Sequence, residues 1–202
     1  WRSANDLSFE VPMSVYGSGS LMFETDSDED AVGTLSFSDH ANVTVAGGSV
    51  RGIVFTAADM ILESFVDASQ ANVTIQPSNS SNARLSVGKN HGGLHLSNVE
   101  LNRISTVTSI IIGSLQTDFV TLDGAVYLGT PLNVYVFSFR SVLFLGGETV
   151  ILTKFAVAAN NHITIDSQVS VSGGESFLNA DATCNLTGIL TVTENGRLTT
   201  GN

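Results

Sequence analysis

Cysteine, proline and charge are all scarce in this chain of 202 residues. There is one Cys, there are 3 Pro, and only 13% of residues are Asp, Glu, Lys or Arg, about half the usual share. A lone Cys184 closes no internal disulfide. No apolar run approaches the ~18 residues of a membrane-spanning helix. The sparse charges are also unbalanced: 8 Lys and Arg face 19 Asp and Glu, for a net charge of −11. Such a chain repels phosphate backbones and anionic lipid, which argues against nucleic acid and against membrane insertion. The sequence starts at Trp1 and shows no basic stretch followed by an apolar run, so it reads as a mature form or as part of something longer.

Apolar residues make up 43% of the chain and glycine contributes 19 positions, enough for a hydrophobic core in one domain over 1–202. Helical periodicity is nearly absent. Short runs alternate apolar and polar residues, as in Leu35-Ser-Phe37, Val43-Thr-Val45, Val73-Thr-Ile75, Leu85-Ser-Val87, Leu94-His-Leu96, Ile163-Thr-Ile165 and Val169-Ser-Val171. Period two with β-branched residues reads as strands with one buried face. Gly, Asn, Asp and Ser punctuate them at intervals of ~8–12 residues, the spacing of a sandwich, a barrel or a solenoid.

Internal similarity favours the solenoid. Ala41-Asn-Val-Thr-Val45 recurs as Ala71-Asn-Val-Thr-Ile75, and Val120-Thr-Leu-Asp-Gly-Ala-Val-Tyr-Leu128 recurs as Ile163-Thr-Ile-Asp-Ser-Gln-Val-Ser-Val171. The second offset is twice a period in the low twenties, and fixed-period repetition marks stacked units. The first offset fits that period only with an insertion. The expected fold is all-β, a parallel β-solenoid in a single domain. It has about three strands per turn and ~20–25 residues per rung, hence roughly eight rungs ~4.8 Å apart. Asp123 and Asp166 fall at equivalent corners.

Residues 85–128 resemble a repeat of large bacterial filamentous-haemagglutinin-like adhesins. The run Leu94-His-Leu-Ser-Asn-Val-Glu-Leu-Asn-Arg-Ile104, then Ile110-Ile-Ile-Gly113, then Val120-Thr-Leu-Asp-Gly124 carries the resemblance. It implies a right-handed parallel β-helix, an extracellular or cell-surface location, adhesin-like behaviour and no enzymatic activity. That family's secretion-domain signature is missing. Within the motif, Glu100 and Arg103 are expected to pair at a corner, a surface bridge worth little.

N-x-S/T sequons occur at Asn42, Asn72, Asn79 and Asn185. A chain this rich in Asn, Ser and Thr produces about that many by chance. Alternation places Asn42, Asn72 and Asn185 outward and Asn79 in a polar loop, so glycans there would spare the core. Cys184, on the strand face of Leu186, is expected to be buried. His40, His91, His95 and His162 are scattered and carry no metal-ligand spacing. Glu24 to Asp30 holds five carboxylates in seven residues. Asp26, Asp28 and Asp30 are its weak calcium ligands, but the glycine spacing of known calcium loops is lacking. The expectation is no metal and no cofactor.

Some strands are apolar on both faces. If Val134 and Val136 face in, Tyr135 and Phe137 face out, with Phe139 beyond them. Ile111 and Ile151 raise the same problem, and Tyr127 precedes Ile151 by the spacing that separates Ile111 from Tyr135. An exposed apolar stripe marks an interface. These six residues, Ile111, Tyr127, Tyr135, Phe137, Phe139 and Ile151, are the expected interface. Its alternative cover is the segment 1–23 folded back, which otherwise flanks the domain or joins the interface. No amphipathic helix caps either end, which favours end-to-end addition.

The expected function is a non-enzymatic structural subunit of an extracellular filament, a homopolymer, N-glycosylated if its source glycosylates. An adhesin stalk or carbohydrate-binding β-helix is the alternative. A polysaccharide lyase or hydrolase ranks below both, because no convergent carboxylates or basic cluster is visible.

Overall fold

The computed structural model describes residues 1–28, 30, 32–45, 50–78, 83–127, 133–151, 154–172, 176–184 and 187–201. The chain is all-β, with one single-turn helix. It opens with β1 (Leu7–Phe9) and β2 (Met13–Val15). Two sets of three strands follow: β3 (Gly19–Glu24), β4 (Thr34–Phe37) and β5 (Val43–Val45), then β6 (Val50–Ala57), β7 (Asp59–Leu62) and β8 (Val66–Asp67). The next set is longer, with β9 (Asn72–Pro77), β10 (Arg84–Gly88), β11 (Leu94–Leu96), α1 (Asn98–Leu101) and β12 (Ile104–Ser105). Regular sets then resume with β13 (Ser109–Gly113), β14 (Phe119–Asp123) and β15 (Val126–Tyr127), and with β16 (Asn133–Ser138), β17 (Ser141–Leu145) and β18 (Thr149–Ile151). The last are β19 (Lys154–Ala159), β20 (His162–Ile165) and β21 (Gln168–Val171), and β22 (Ser176–Asn179), β23 (Ile189–Val192) and β24 (Arg197–Thr200).

Five sheets result. The longest takes the first strand of each set, in the order β3-β6-β9-β13-β16-β19-β22. A three-stranded sheet, β1-β4-β7, and a six-stranded one, β11-β10-β14-β17-β20-β23, take the second strands. Two four-stranded sheets, β2-β5-β8-β12 and β15-β18-β21-β24, take the third. Every pairing between these strands is parallel.

Register explains the alternation. Leu21, Ile53, Val73, Ile110, Val134 and Phe155 lie side by side on the inner face of the long sheet, and all are buried. So do Phe23, Phe55, Ile75, Ile112, Val136 and Val157. Each apolar side chain thus packs on its register neighbours, the arrangement that rewards β-branched and aromatic residues in strands. Val120, Val142 and Ile163 form one inner column of the six-stranded sheet, so the offset of 43 between the two long repeats spans two paired steps. The Ala41 and Ala71 repeats do not stack: Val43 lies in β5 and Val73 in β9, in different sheets.

At the first strands the core is aromatic. Trp1 stacks on Phe23 at 5.2 Å and Phe23 on Phe55 at 5.5 Å, while Phe9 stacks on Phe37 at 4.9 Å. The two piles meet edge to face, Phe23 against Phe37 at 5.3 Å. Residues 1–23 therefore build the first level of the core rather than folding back over an outer face.

The long set at 72–105 departs from the rule that parallel strands need a long crossover. β10 and β11 pair in parallel, Leu85 beside Leu94, with only residues 89–93 between them. Gly88 and Gly93 make this possible, at φ 89° and 72°. A Cβ on Gly88 would strike the Asp123 carbonyl, and one on Gly93 the Arg84 carbonyl. Beyond β11, Ser97 caps α1 in a reciprocal box with Glu100. Glu100 and Arg103 do not pair with each other. Both grip Leu62 at the end of β7: Glu100 Oε1 accepts from its N–H at 3.0 Å, and the Arg103 guanidinium donates to its carbonyl. Residues 97–103 thus fasten the turn where the three-stranded sheet stops. Among the described residues no helix is long and apolar enough to cross a membrane.

Candidate assembly surface and polar clusters

The outer face of the long sheet carries a column that is apolar at every position but Thr74. Met22, Val54, Thr74, Ile111, Tyr135, Ala156 and Phe177 are register neighbours across all seven strands. Met22 and Phe177, at its two ends, are 49% and 61% exposed, and the members between them are half-buried. The next outer column adds Phe137, whose ring lies 6.1 Å from that of Tyr135 at an interplanar angle of 10°. The opposite neighbouring column is polar: Ser20, Gly52 and Asn72, then Ser109, Asn133 and Lys154. At ~4.8 Å per strand the apolar column runs ~29 Å. It is uncharged and unpartnered among the described residues, the properties of an interaction surface.

Ile111, Tyr135 and Phe137 therefore come together as expected. Phe139 does not join them, because the chain turns a corner at Phe139–Arg140 between β16 and β17, where Phe139 projects 48% exposed. Ile151 is a correction. It is 1% exposed, since Thr149 and Ile151 pair with the buried Val169 and Val171 and so face the core; Val150 is the outward residue. Tyr127 pairs with Ile151, and its side chain lies outside the described set. Met22 and Phe177 were missed because only the paired register, not local alternation, brings them into line with Tyr135.

Two sequons are described. Asn42 is exposed, its Oδ1 accepting from the Phe65 N–H at 2.9 Å. Asn72 is exposed on the outer face of β9, its Oδ1 accepting from Ser109 Oγ at 2.6 Å. Asn79 and Asn185 lie outside the described residues. Cys184 is exposed rather than buried. It ends a turn with φ 57°, its N–H bonded to the Asp181 carbonyl, so it has no strand face to share.

The carboxylates of Asp26, Asp28 and Asp30 approach within 4.8 Å of one another. Asp26 is buried, held by the Ser78 hydroxyl, while Asp28 and Asp30 are exposed. The fold gathers these three acids, and nothing beyond their proximity points to an ion.

A second polar cluster went unnoticed in the sequence. The Asp123 side chain, 7% exposed, accepts from His91 Nε2 at 2.9 Å and from the Gly147 N–H at 3.0 Å, and lies 3.4 Å from Lys89 Nζ. Burial alone would raise its pKa. The Gly147 N–H, His91 and Lys89 outweigh burial and hold it below the ordinary 3.8. Asp123 was legible as a corner residue, but its partners lie 32 and 34 positions earlier on the short loop 89–93, which no local pattern connects to it. The cluster pins that loop to the sheet.

Comparison of the chain with protein-family models, with curated proteins and with solved structures found no match. The resemblance to the adhesin repeat rests on the motif residues alone.

Proposed function

We propose that this chain is a non-enzymatic structural subunit of an extracellular filament or surface appendage. In this reading the parallel sheets are the walls of one right-handed β-solenoid, and copies pack laterally through the outer face of the long sheet. The observation that carries it is the apolar column from Met22 to Phe177, which has no role inside the molecule. Core side chains also emerge at the last strands, Leu190 at 48% and Val192 at 52% exposure. A further level, from the same polypeptide or from another copy, would cover them, which makes end-to-end addition the companion of lateral packing. The partner is then a second copy of the chain, with glycans at Asn42 and the other sequons where the source adds them.

Sedimentation velocity and negative-stain electron microscopy test the proposal. The purified chain should associate with rising concentration and form elongated particles, and Tyr135→Lys should abolish the lateral part of that association while leaving end-to-end growth. A monomer at every concentration would instead favour the adhesin stalk or carbohydrate-binding β-helix that residues 94–124 resemble.

A further inference from the structure

Three charged grooves open on the described surface, and they differ in sign. One of about 520 Å³ is lined by Glu10, Asp39, Glu63 and His40. One of about 150 Å³ is lined by Glu24 and Asp26. The third, about 300 Å³, lies on the outer face of the six-stranded sheet, between Arg84, His91, Phe119, Thr121, Leu143 and Leu145. It contains no carboxylate in its lining, on a protein with 19 Asp and Glu and 8 Lys and Arg.

The third groove is a built one. The Arg84 guanidinium lies over the Phe119 ring, 5.6 Å from its centroid, a cation–π contact that orients the fork. Arg84 has no ion-pair partner among the described residues, whereas Arg2, Lys89 and Arg140 each lie against a carboxylate. His91 turns Nε2 to Asp123, which fixes its ring at the rim. Asp123 itself is occupied by its three donors and does not line the groove. The floor, Phe119, Leu143 and Leu145, is apolar and half-buried. It lies beside the Thr121 hydroxyl, which belongs to the same outer column as Leu143.

The geometry points to a binding site for a ring-bearing carboxylate. The acid lies against Arg84, whose planar fork matches a carboxylate, and the C–H face of the ring lies on Phe119 and Leu143. A guanidinium above an apolar floor selects for that combination, because an inorganic anion gains nothing from the floor and a neutral ring nothing from the arginine. The site is separate from the long sheet's outer face and does not depend on self-association.

Two sources share this chemistry, a sugar acid and an aromatic acid. The full chain is titrated by calorimetry with galacturonate and with benzoate, with galactose and methyl benzoate as uncharged counterparts. One acid or both should saturate a single site, and the tighter one identifies the source. NMR shifts on binding should fall at residues 84–92, 119–121 and 143–145. Arg84→Gln should weaken binding at least ~tenfold, about the worth of one charge-assisted contact, and Arg51→Gln should not change it. Leu143→Glu, which puts an acid on the floor, should abolish it. No binding of either acid, equal binding of the uncharged counterparts, or unchanged affinity in Arg84→Gln would overturn the site. Should Arg84→Gln fail to fold, retained binding in Leu143→Glu would do the same.

Discussion

The two halves of this molecule fill the same kind of core by different means. Before residue 105 the steps along the long sheet are uneven: Leu21 to Ile53 spans 32 positions, Ile53 to Val73 spans 20 and Val73 to Ile110 spans 37. Its interior there is stacked rings, Phe23 and Phe55 beside Phe9 and Phe37, with the exposed Trp1 closing the end of the stack. After residue 105 the steps even out to 24 and 21, from Ile110 to Val134 to Phe155. There the interior is mostly β-branched, with Phe144 and Phe155 as its buried rings, while Tyr135, Phe137 and Phe177 lie on the outer face. The difference teaches that regular steps permit a slim, repetitive core and free large apolar side chains for the surface. Irregular steps consume those side chains inside.

The largest effect should come from breaking the ring stack. Phe55→Ala should cost ~3–5 kcal/mol and Val157→Ala closer to ~2 kcal/mol, because more volume is lost and less of it is refilled. Trp1, the only tryptophan, reports on the first half. In a urea titration of Phe55→Ala its fluorescence should change before the far-UV circular dichroism does. Coincident transitions would mean that the halves unfold as one.

Next in size is the fastening at the end of the first half. Glu100→Ala removes a carboxylate that accepts from the N–H groups of both Leu62 and Ser97. It should cost ~1.5–3 kcal/mol in chemical denaturation, the range for hydrogen bonds to a charged group. Ser97→Ala, which loses only the helix cap, should cost ~1 kcal/mol. Equal costs would argue that the cap alone matters.

A smaller, pH-dependent effect belongs to the second half. The folded pKa of Asp123 lies below its unfolded value, so its contribution to stability is complete above the unfolded carboxylate range, near ~3.9. It is lost as pH falls through the folded value. Thermal melts between acid and neutral pH should therefore show an acid limb that flattens in Asp123→Asn. An identical limb in the variant would assign acid sensitivity to other carboxylates.

The smallest effect on stability, and the sharpest on behaviour, concerns the outer column. Phe177→Ser should change the melting free energy by less than ~0.5 kcal/mol, as exposed substitutions do. It should nonetheless raise the concentration at which sedimentation detects association.

Much of the strand layout was legible, and its limits are physical. Leu35–Phe37, Val43–Val45 and Leu94–Leu96 alternate because one face is buried, and each lies in the strand that its pattern implies. The dense run 134–145 was ambiguous because two strands meet there with only a corner between them. Ile151 was misplaced because positions 150–152 are all apolar in the sequence, so alternation leaves inside and outside undecided there and a shift of one residue reverses them. α1 is a single turn, too short to show a helical period; its mark in the sequence is Ser97 followed by Glu100 at the capping-box spacing. The groove beside Arg84 was invisible because Arg84, His91 and Phe119 meet only through the tight loop 89–93 and the pairing of β10 with β14.

The uniform direction of the pairing also has a mechanical meaning. In the proposed solenoid the interstrand bonds of all five sheets would run largely along one axis. Tension on that axis loads several ladders abreast at each level, so a level yields only when many bonds fail in concert. A strand peeled from an edge gives way one bond at a time. The molecule should therefore resist stretching far better than peeling, and any extraction by force should begin at an outermost strand and advance inward in discrete steps.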